Sequence, residues 1–479
     1  MSSVSHRLWD LALSDKPFIE IESRKTGNNM QVRITPGKLN GKINAVSSKS
    51  YLHRMILCAA LSDKKTVIYL NCRSRDVDAT IRCARAMGAE AEGGEDCVVV
   101  HPVRHIRHSC VNDFLLQEKR ESFDISRGGV AERLPILDCG ESGSTARFVL
   151  PLTAVVCGGG RLIGEGRLPE RPFGAICTVM EENGCSFSSY SLPMTVTGSL
   201  KAGVYRIPAN ISSQYISALM MSLPLVEGDS EIVFTTEVES EGYLDITESV
   251  MRDFGMPLEK TGNGYKIKGN RRYVSPGEIT AEGDWSNGAF WVAANELGSR
   301  LEIGNLKKNS LQRDCRIVEV ARQLFNGQEK RQVRWDSGKL AVQAEGERGE
   351  EVVIDGADIP DIIPVSAIMA CGRMGRTRFI NCRRLRLKES DRLMSVASII
   401  CTLGGQAVVE NDDLIVEGCG YLTGGEVDSF TDHRIVMSAA VAATICTGEV
   451  VINHAQDVAK SYPGFFEDYD KLGGIIQTI

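Results

Sequence analysis

Apolar and polar positions along this chain follow one grammar six times over. Each segment opens on a polar cluster, runs into a helix of small and apolar residues, and turns at a glycine. It then continues as a β-rich strand and a loop, and closes with a second helix that ends at glycine. The first helices read "SSKSYLHRMILCAAL", "ESGSTARFVLPLTAVV", "ISSQYISALMMSLPL", "GDWSNGAFWVAANEL", "IPDIIPVSAIMACG" and "FTDHRIVMSAAVAATI". The strands that follow include "KTVIYLNC", "GRLIGEG", "SEIVFTT", "SRLEIGN", "RTRFINC" and "GEVVINH". The closing glycines are Gly88, Gly184, Gly255, Gly327, Gly404 and Gly473, at spacings of 96, 71, 72, 77 and 69 residues.

A unit of about 70 residues is longer than the common solenoid repeats and predicts an α/β subdomain, three to a domain. The first interval exceeds the others by roughly 25 residues, which marks the charge-rich stretch near 101–129 as an insertion with surface histidines. The first helices are rich in Ala, Ser, Met and Gly and poor in charge, so they are expected to be buried among neighbours rather than amphipathic at a surface.

The charged residues recur at two places in the unit. One is the start of the first helix: Lys49, Ser50 and Arg54; Ser142, Gly143 and Ser144; Ser212, Ser213 and Gln214; Asp361; His433 and Arg434. The other is the loop after the strand: Arg167; Ser240 and Tyr243; Lys388, Glu389 and Arg392; Lys460. Helix N-termini expose unpaired N–H groups and a partial positive charge, so they bind anions. Arg and Lys add charge-assisted contacts to phosphate or carboxylate. Taken singly, Ser and Asp at these positions are ordinary helix caps. Capping explains the hydroxyls but leaves the arginines unexplained, and their recurrence predicts a cleft for a polyanion. "SSKS" lacks the P-loop spacing and "GESGS" lacks the spacer of a nucleophile elbow.

Composition narrows the class further. At 479 residues, 43% hydrophobic and 24% charged, the chain exceeds one core and suggests two large domains. A net charge of -7 argues against a nucleic-acid partner. No apolar run approaches the roughly eighteen residues of a membrane span, and the first residues resemble neither a signal nor a transit peptide. Fifteen scattered cysteines with no C-x-x-C pair predict reduced thiols in a cytoplasmic protein without a zinc site.

Nine motifs, "SSKSYLHR", "GEGRLPERP", "ISSQYISALMM", "SEGYLDIT", "EGDWSN", "IPD", "RLKESDRL", "TDHRIVM" and "AKSYPGFF", occur in that order. In this combination the chain resembles the 5-enolpyruvylshikimate-3-phosphate (EPSP) synthase family from about residue 30 to its end. The resemblance implies an inside-out α/β barrel of two domains, each of three βαβαββ units about a pseudo-threefold axis. One domain would comprise 1–47 plus 283–479 and the other 48–282, with crossings near Ser47 and Gly283. It implies transfer of the enolpyruvyl group of phosphoenolpyruvate to the 5-hydroxyl of shikimate 3-phosphate, with release of phosphate and no metal or cofactor. A monomer with small-molecule substrates is expected.

Carried over residue by residue, Lys49, Ser50, Arg54, Ser212, Ser213, Gln214, Ser240, Tyr243, Asp361, Arg384 and Lys388 would bind shikimate 3-phosphate. Lys49, Gly143, Ser144, Arg167, Gln214, Arg392, His433, Arg434 and Lys460 would bind phosphoenolpyruvate. Asp361 would accept the hydroxyl proton and Glu389 would protonate the methylene carbon, with Lys49 stabilising developing charge. The leucines of "RLRLKESDRL" would pack that cationic loop down.

The chain departs from the family pattern at Val46-Ser47, usually Pro-Gly, at Glu141-Ser142-Gly143-Ser144, usually Asn-Ala-Gly-Thr, and at Arg384, usually Asn. Glu141 would repel phosphoenolpyruvate unless it points away or pairs with a cation such as Arg147. Two alternatives are UDP-N-acetylglucosamine enolpyruvyltransferase and a non-catalytic anion-binding relative. The Lys-Ser pair and a mobile loop without Cys disfavour the first; the presence of Asp361, Glu389 and Lys49 disfavours the second.

Overall fold

Among the described residues one four-stranded sheet recurs five times, a parallel pair extended by two antiparallel strands. In a computed structural model, residues 30–94, 96–104, 134–239, 241–325, 333–336, 339–342 and 349–479 are described. In the first sheet, Glu278–Thr280 runs parallel to Thr66–Tyr69, which pairs antiparallel with Cys97–His101 and then Glu90–Gly93. The same order recurs in the sheets centred on Gly159–Ile163, Ser230–Phe234 and Met374–Ile380. In the fifth, Val450–Asn453 lies between Gly425–Asp428 and Val32–Thr35, and Ile475–Thr478 completes the edge. A sixth parallel pair joins Asn40–Asn44 to Arg300–Gly304.

Each sheet buries one face against helices, and the alternation in Ser230–Phe234, buried at every second residue, shows why β-branched positions recur at period two. The first helices of the units are buried on nearly all sides, as their composition predicts: every residue of Ile363–Cys371 and His433–Ala442 is buried. The second helices end at Gly88, Gly184, Gly255, Gly404 and Gly473 with φ of 102°, 103°, 70°, 84° and 87°, the left-handed stop that glycine adopts without penalty. Gly327, the N-terminal stretch 1–29 and residues 105–133, which include most of the insertion expected near 101–129, lie outside the described residues.

Two hydrophobic cores result. One is built from residues between Tyr51 and Ala281, the other from Val32–Val46 together with Trp285–Leu472. The chain passes between them twice, side by side: Ser47 bridges Gly283, Ser48 N donates to Glu282 O at 2.7 Å, and Asp284 N donates to Val46 O at 2.7 Å. Gly283 is required there, because a Cβ would stand 1.9 Å from the Asn305 carbonyl. Ser47 takes the place of a helix-breaking pair by binding Asn71 in both directions, at 2.6 Å through its N–H and 2.9 Å through its Oγ.

Candidate active site

Between the two cores opens a cleft lined by eight cationic side chains against four carboxylates. The helix Lys49–Ala60 delivers the first cations. Its cap residue Ser48 makes no side-chain cap bond, and the Lys49 N–H is held instead by Asp284 Oδ2 at 3.1 Å. The Lys49 ammonium meets Asp76 Oδ2 at 2.7 Å. One turn on, Arg54 is 2% exposed, lies 4.8 Å over the Phe148 ring, and donates to Thr247 Oγ1 at 2.6 Å and to the Tyr243 carbonyl at 3.1 Å. Ser50 lines the cleft beside it.

Ser142 caps the helix Gly143–Cys157. A Cβ at Gly143 would meet the Arg171 and Arg147 guanidinium nitrogens at 2.7 and 2.8 Å, so a side chain there would displace both cations from the cleft wall. Ser144 Oγ accepts from Gln214 Nε2 at 2.8 Å while Gln214 Oε1 accepts from Arg147 at 2.7 Å, which fixes the amide between the two loops. Ser212 and Ser213 open the helix Ser213–Ser222, and the Ser212 hydroxyl makes no cap bond and lines the cleft.

The opposite wall carries the acids. Asp361, just ahead of the helix Ile363–Cys371, accepts from Tyr243 Oη at 2.7 Å, Arg392 at 2.6 Å and Lys388 at 3.2 Å, with Arg434 Nε 3.4 Å away. Burial would raise this carboxyl, but Lys388, Arg434 and Arg392 outweigh it and hold it well below the usual carboxylate range. Glu389 is likewise buried, and Arg392, Arg171 and Lys460 hold it ionised; Arg392 stands 2.6 Å away and Arg171 3.5 Å. Burial pulls the Lys388 ammonium down to about 8. His433, buried and flanked by Lys49 and Arg434, stays neutral. Arg392 spans Asp361, Glu389 and the fully buried Asp432, which also caps the helix His433–Ala442.

Sixteen of the residues expected from sequence meet at this cleft: Lys49, Ser50, Arg54, Gly143, Ser144, Ser212, Ser213, Gln214, Tyr243, Asp361, Arg384, Lys388, Glu389, Arg392, His433 and Arg434. Ser240 lies outside the described residues. Lys460 approaches from behind, 3.9 Å from Glu389. Arg167 is the exception. Its side chain is 44% exposed, pairs with Glu170 and donates to the Glu389 backbone carbonyl, both at 3.3 Å, while Arg171 is the arginine of this loop that lines the cleft. The 3-10 turn Leu168–Glu170 places the two arginines of this loop in different surroundings. Arg384 lines the cleft and pairs with Glu239 at 3.9 Å. Leu385 and Leu393 are buried as expected, but Leu387 is 47% exposed.

Sequence reasoning gave no site role to Arg171, Arg147, Asp76, Asp284, Ser286 or Asp314. The Arg-Pro step of "ERPFG" and the motif "EGDWSN" were the available signals. Asp314, buried and bonded to the Ser286 hydroxyl, is pushed up to about 7 by burial and by the nearby Asp361. Among the described residues no His, Cys, Asp and Glu side chains cluster as a metal site requires, and no helix is long and apolar enough to cross a membrane.

The model of the EPSP synthase (3-phosphoshikimate 1-carboxyvinyltransferase) family matches residues 34–116 and 111–469 of this chain. The chain belongs to the EPSP synthase family. A 3-phosphoshikimate 1-carboxyvinyltransferase of Clostridium beijerinckii is 36% identical over 453 residues, covering 93% of this chain and 98% of that protein. One from Clostridium botulinum Eklund 17B is 37% identical over 448 residues, covering 92% and 97%. In fold, the chain superposes on an EPSP synthase from Acinetobacter baumannii with a TM-score of 0.71 at 22% identity, over 94% of this chain and all of that one. The two-domain α/β architecture implied by the resemblance is thus that of EPSP synthases, and the cleft lies between the two cores.

Proposed function

We propose that this enzyme transfers the enolpyruvyl group of phosphoenolpyruvate to the 5-hydroxyl of shikimate 3-phosphate and releases phosphate. The observation that carries the reading is the placement of two carboxylates, Asp361 and Glu389, on the two ends of one guanidinium, Arg392, inside a cationic cleft. Addition to an enol ether needs one group to take the proton of the attacking hydroxyl and another to give a proton to the methylene carbon. Asp361, kept ionised by Lys388, Arg434 and Arg392, suits the first task. Glu389 suits the second once substrate arrives. The phosphate and carboxylate of phosphoenolpyruvate would engage Arg171, Arg392 and Lys460, the cations that hold Glu389 ionised, and its pKa would rise towards protonation. The carbon–oxygen bond forms as the hydroxyl proton passes to Asp361 and the Glu389 proton passes to carbon. Loss of phosphate then returns a methyl proton and restores the double bond.

Arg54, Ser212, Ser213, Tyr243 and Lys388 would hold shikimate 3-phosphate, and Lys49, Arg171, Arg434 and Lys460 phosphoenolpyruvate. Arg171 takes the place first expected for Arg167 because it faces the cleft. Holding two polyanions in register against their repulsion is where fixed cations contribute most. We further infer that the two cores are separate domains, joined at Ser47 and Gly283, that the cleft is complete within one chain, and that the protein works as a cytoplasmic monomer. Cys58, Cys177, Cys371, Cys382 and Cys446 are buried free thiols, as a reducing compartment would have them.

The test is phosphate release from phosphoenolpyruvate with shikimate 3-phosphate or with UDP-N-acetylglucosamine as acceptor. Release is expected only with the first, and Glu389→Gln should abolish it while still binding shikimate 3-phosphate. Release only with the sugar nucleotide would reverse the assignment, and undiminished turnover in the variant would remove Glu389 from its role.

A further inference from the structure

Lys460 has two carboxylate neighbours before any substrate arrives. Its ammonium, 8% exposed, lies 3.6 Å from Glu141 Oε2 and 3.9 Å from Glu389 Oε1. Glu389 belongs to the acid–base pair, but the chemistry above gives Glu141 no task. Nor is Glu141 placed there by accident of a long side chain. Gly166 sits at φ +55° opposite it, and a Cβ added at 166 would fall 1.6 Å from Glu141 Oε1, so the carboxylate fills the space a side chain would take. The two loops are tied beside it by Glu165 N donating to Gly140 O at 2.8 Å. Glu389, Asp76 and Glu141 together more than offset the burial of the Lys460 ammonium and the opposing charge of Arg171, so it stays protonated. Glu141 is followed by Ser142 and Gly143, where the helix that lines the cleft begins.

We propose that Glu141 is a positioning residue that sets affinity for the anionic co-substrate, by acting as an internal counter-ion to Lys460 that the incoming anion must displace. Its side chain is 37% exposed, so it can turn to solvent when displaced, whereas Glu389, 11% exposed, cannot. A partly exposed pair of this kind is worth a few tenths to about 1 kcal/mol, which is about twofold to fivefold in binding. Because Glu141 competes with substrate and transition state alike, its removal should alter KM far more than kcat.

The inference rests on the phosphoenolpyruvate reading of the cleft, and one experiment separates the two. Phosphate release by wild type and Glu141→Gln is followed over a range of phosphoenolpyruvate at saturating shikimate 3-phosphate, and inhibition by inorganic phosphate is measured in parallel. The variant is expected to show a KM for phosphoenolpyruvate and a Ki for phosphate that both fall about twofold to fivefold, with kcat and the KM for shikimate 3-phosphate moving less. It should also show a steeper rise of KM with salt, since a freed cation is screened more. If wild type is active but the variant's KM for phosphoenolpyruvate stays level or rises, the counter-ion role is overturned and the reading of the cleft stands. A joint rise of both substrate KM values would mean damage to the loop and overturn it too. A wild type that releases no phosphate overturns both.

Discussion

Arg171 and Arg167 stand four residues apart in one loop; the first lines the cleft, and the second donates to the Glu389 backbone carbonyl at 3.3 Å. The Arg171 guanidinium, 12% exposed, lies 3.5 Å from Glu389 and crowds Gly143, so a ligand anion there would meet a desolvated, preorganised fork. Charge-assisted hydrogen bonds of this kind contribute about 1.5–3 kcal/mol. Arg171→Ala should therefore raise the KM for phosphoenolpyruvate about tenfold to a hundredfold, and Arg167→Ala, at a half-exposed position, less than about fivefold. Steady-state kinetics on the two variants decide it, and equal losses would mean that both act on the substrate. At this scale the sequence was legible where a residue type is fixed by chemistry, as for Asp361, Glu389 and Arg392. It was not legible where two like residues share a loop, because a single 3-10 turn decides which one faces inward. The partner of Glu141 was hidden for the same reason: it is Lys460, some three hundred residues on, while the nearer Arg147 binds Gln214.

Helix starts organise the site, and two of them share one cap. Asp284 Oδ1 accepts from Asn287 N at 2.9 Å within its own helix, and Oδ2 accepts from Lys49 N at 3.1 Å in the other half of the molecule. A cap contributes about 1 kcal/mol, so Asp284→Ala should lower stability by about 2 kcal/mol, and Asp284→Asn, which keeps one acceptor, by roughly half that. Denaturant midpoints would show it, and an alanine variant as stable as wild type would mean that the Lys49 helix start finds another acceptor. The elements themselves were readable from periodicity, and the stops at Gly88, Gly184, Gly255, Gly404 and Gly473 fall where the sequence puts them. The long-range parallel partners were not, since the strand Glu278–Thr280 that borders Thr66–Tyr69 carries no local sign of its register.

Across the whole molecule, the two cores face each other through one hydrogen bond from Tyr243 to Asp361 at 2.7 Å and through pairs of opposite charge: Arg171 with Glu389 at 3.5 Å, Arg313 with Asp245 at 3.2 Å and Lys460 with Glu141 at 3.6 Å. Apart from the buried members these are partly solvated and sensitive to salt. The radius of gyration should therefore rise in high salt and fall again when shikimate 3-phosphate is added, as expected of domains that close on a ligand. Solution scattering that is invariant to both would make the molecule a single rigid body.

The strand Val32–Thr35 lies between Val450–Asn453 and Ile475–Thr478, and the Ile479 N–H reaches back to Gln31 O at 3.0 Å. During synthesis this strand must wait, unpartnered, until residues 450–478 have left the ribosome, and closing so long a loop is slow. The core between Tyr51 and Ala281 is uninterrupted in the chain and can form while the rest is still being made. The half that carries Asp361 and Glu389 is therefore finished second, on a template already folded, and a nascent chain stalled before residue 450 would hold one completed half and one that cannot yet close its sheet.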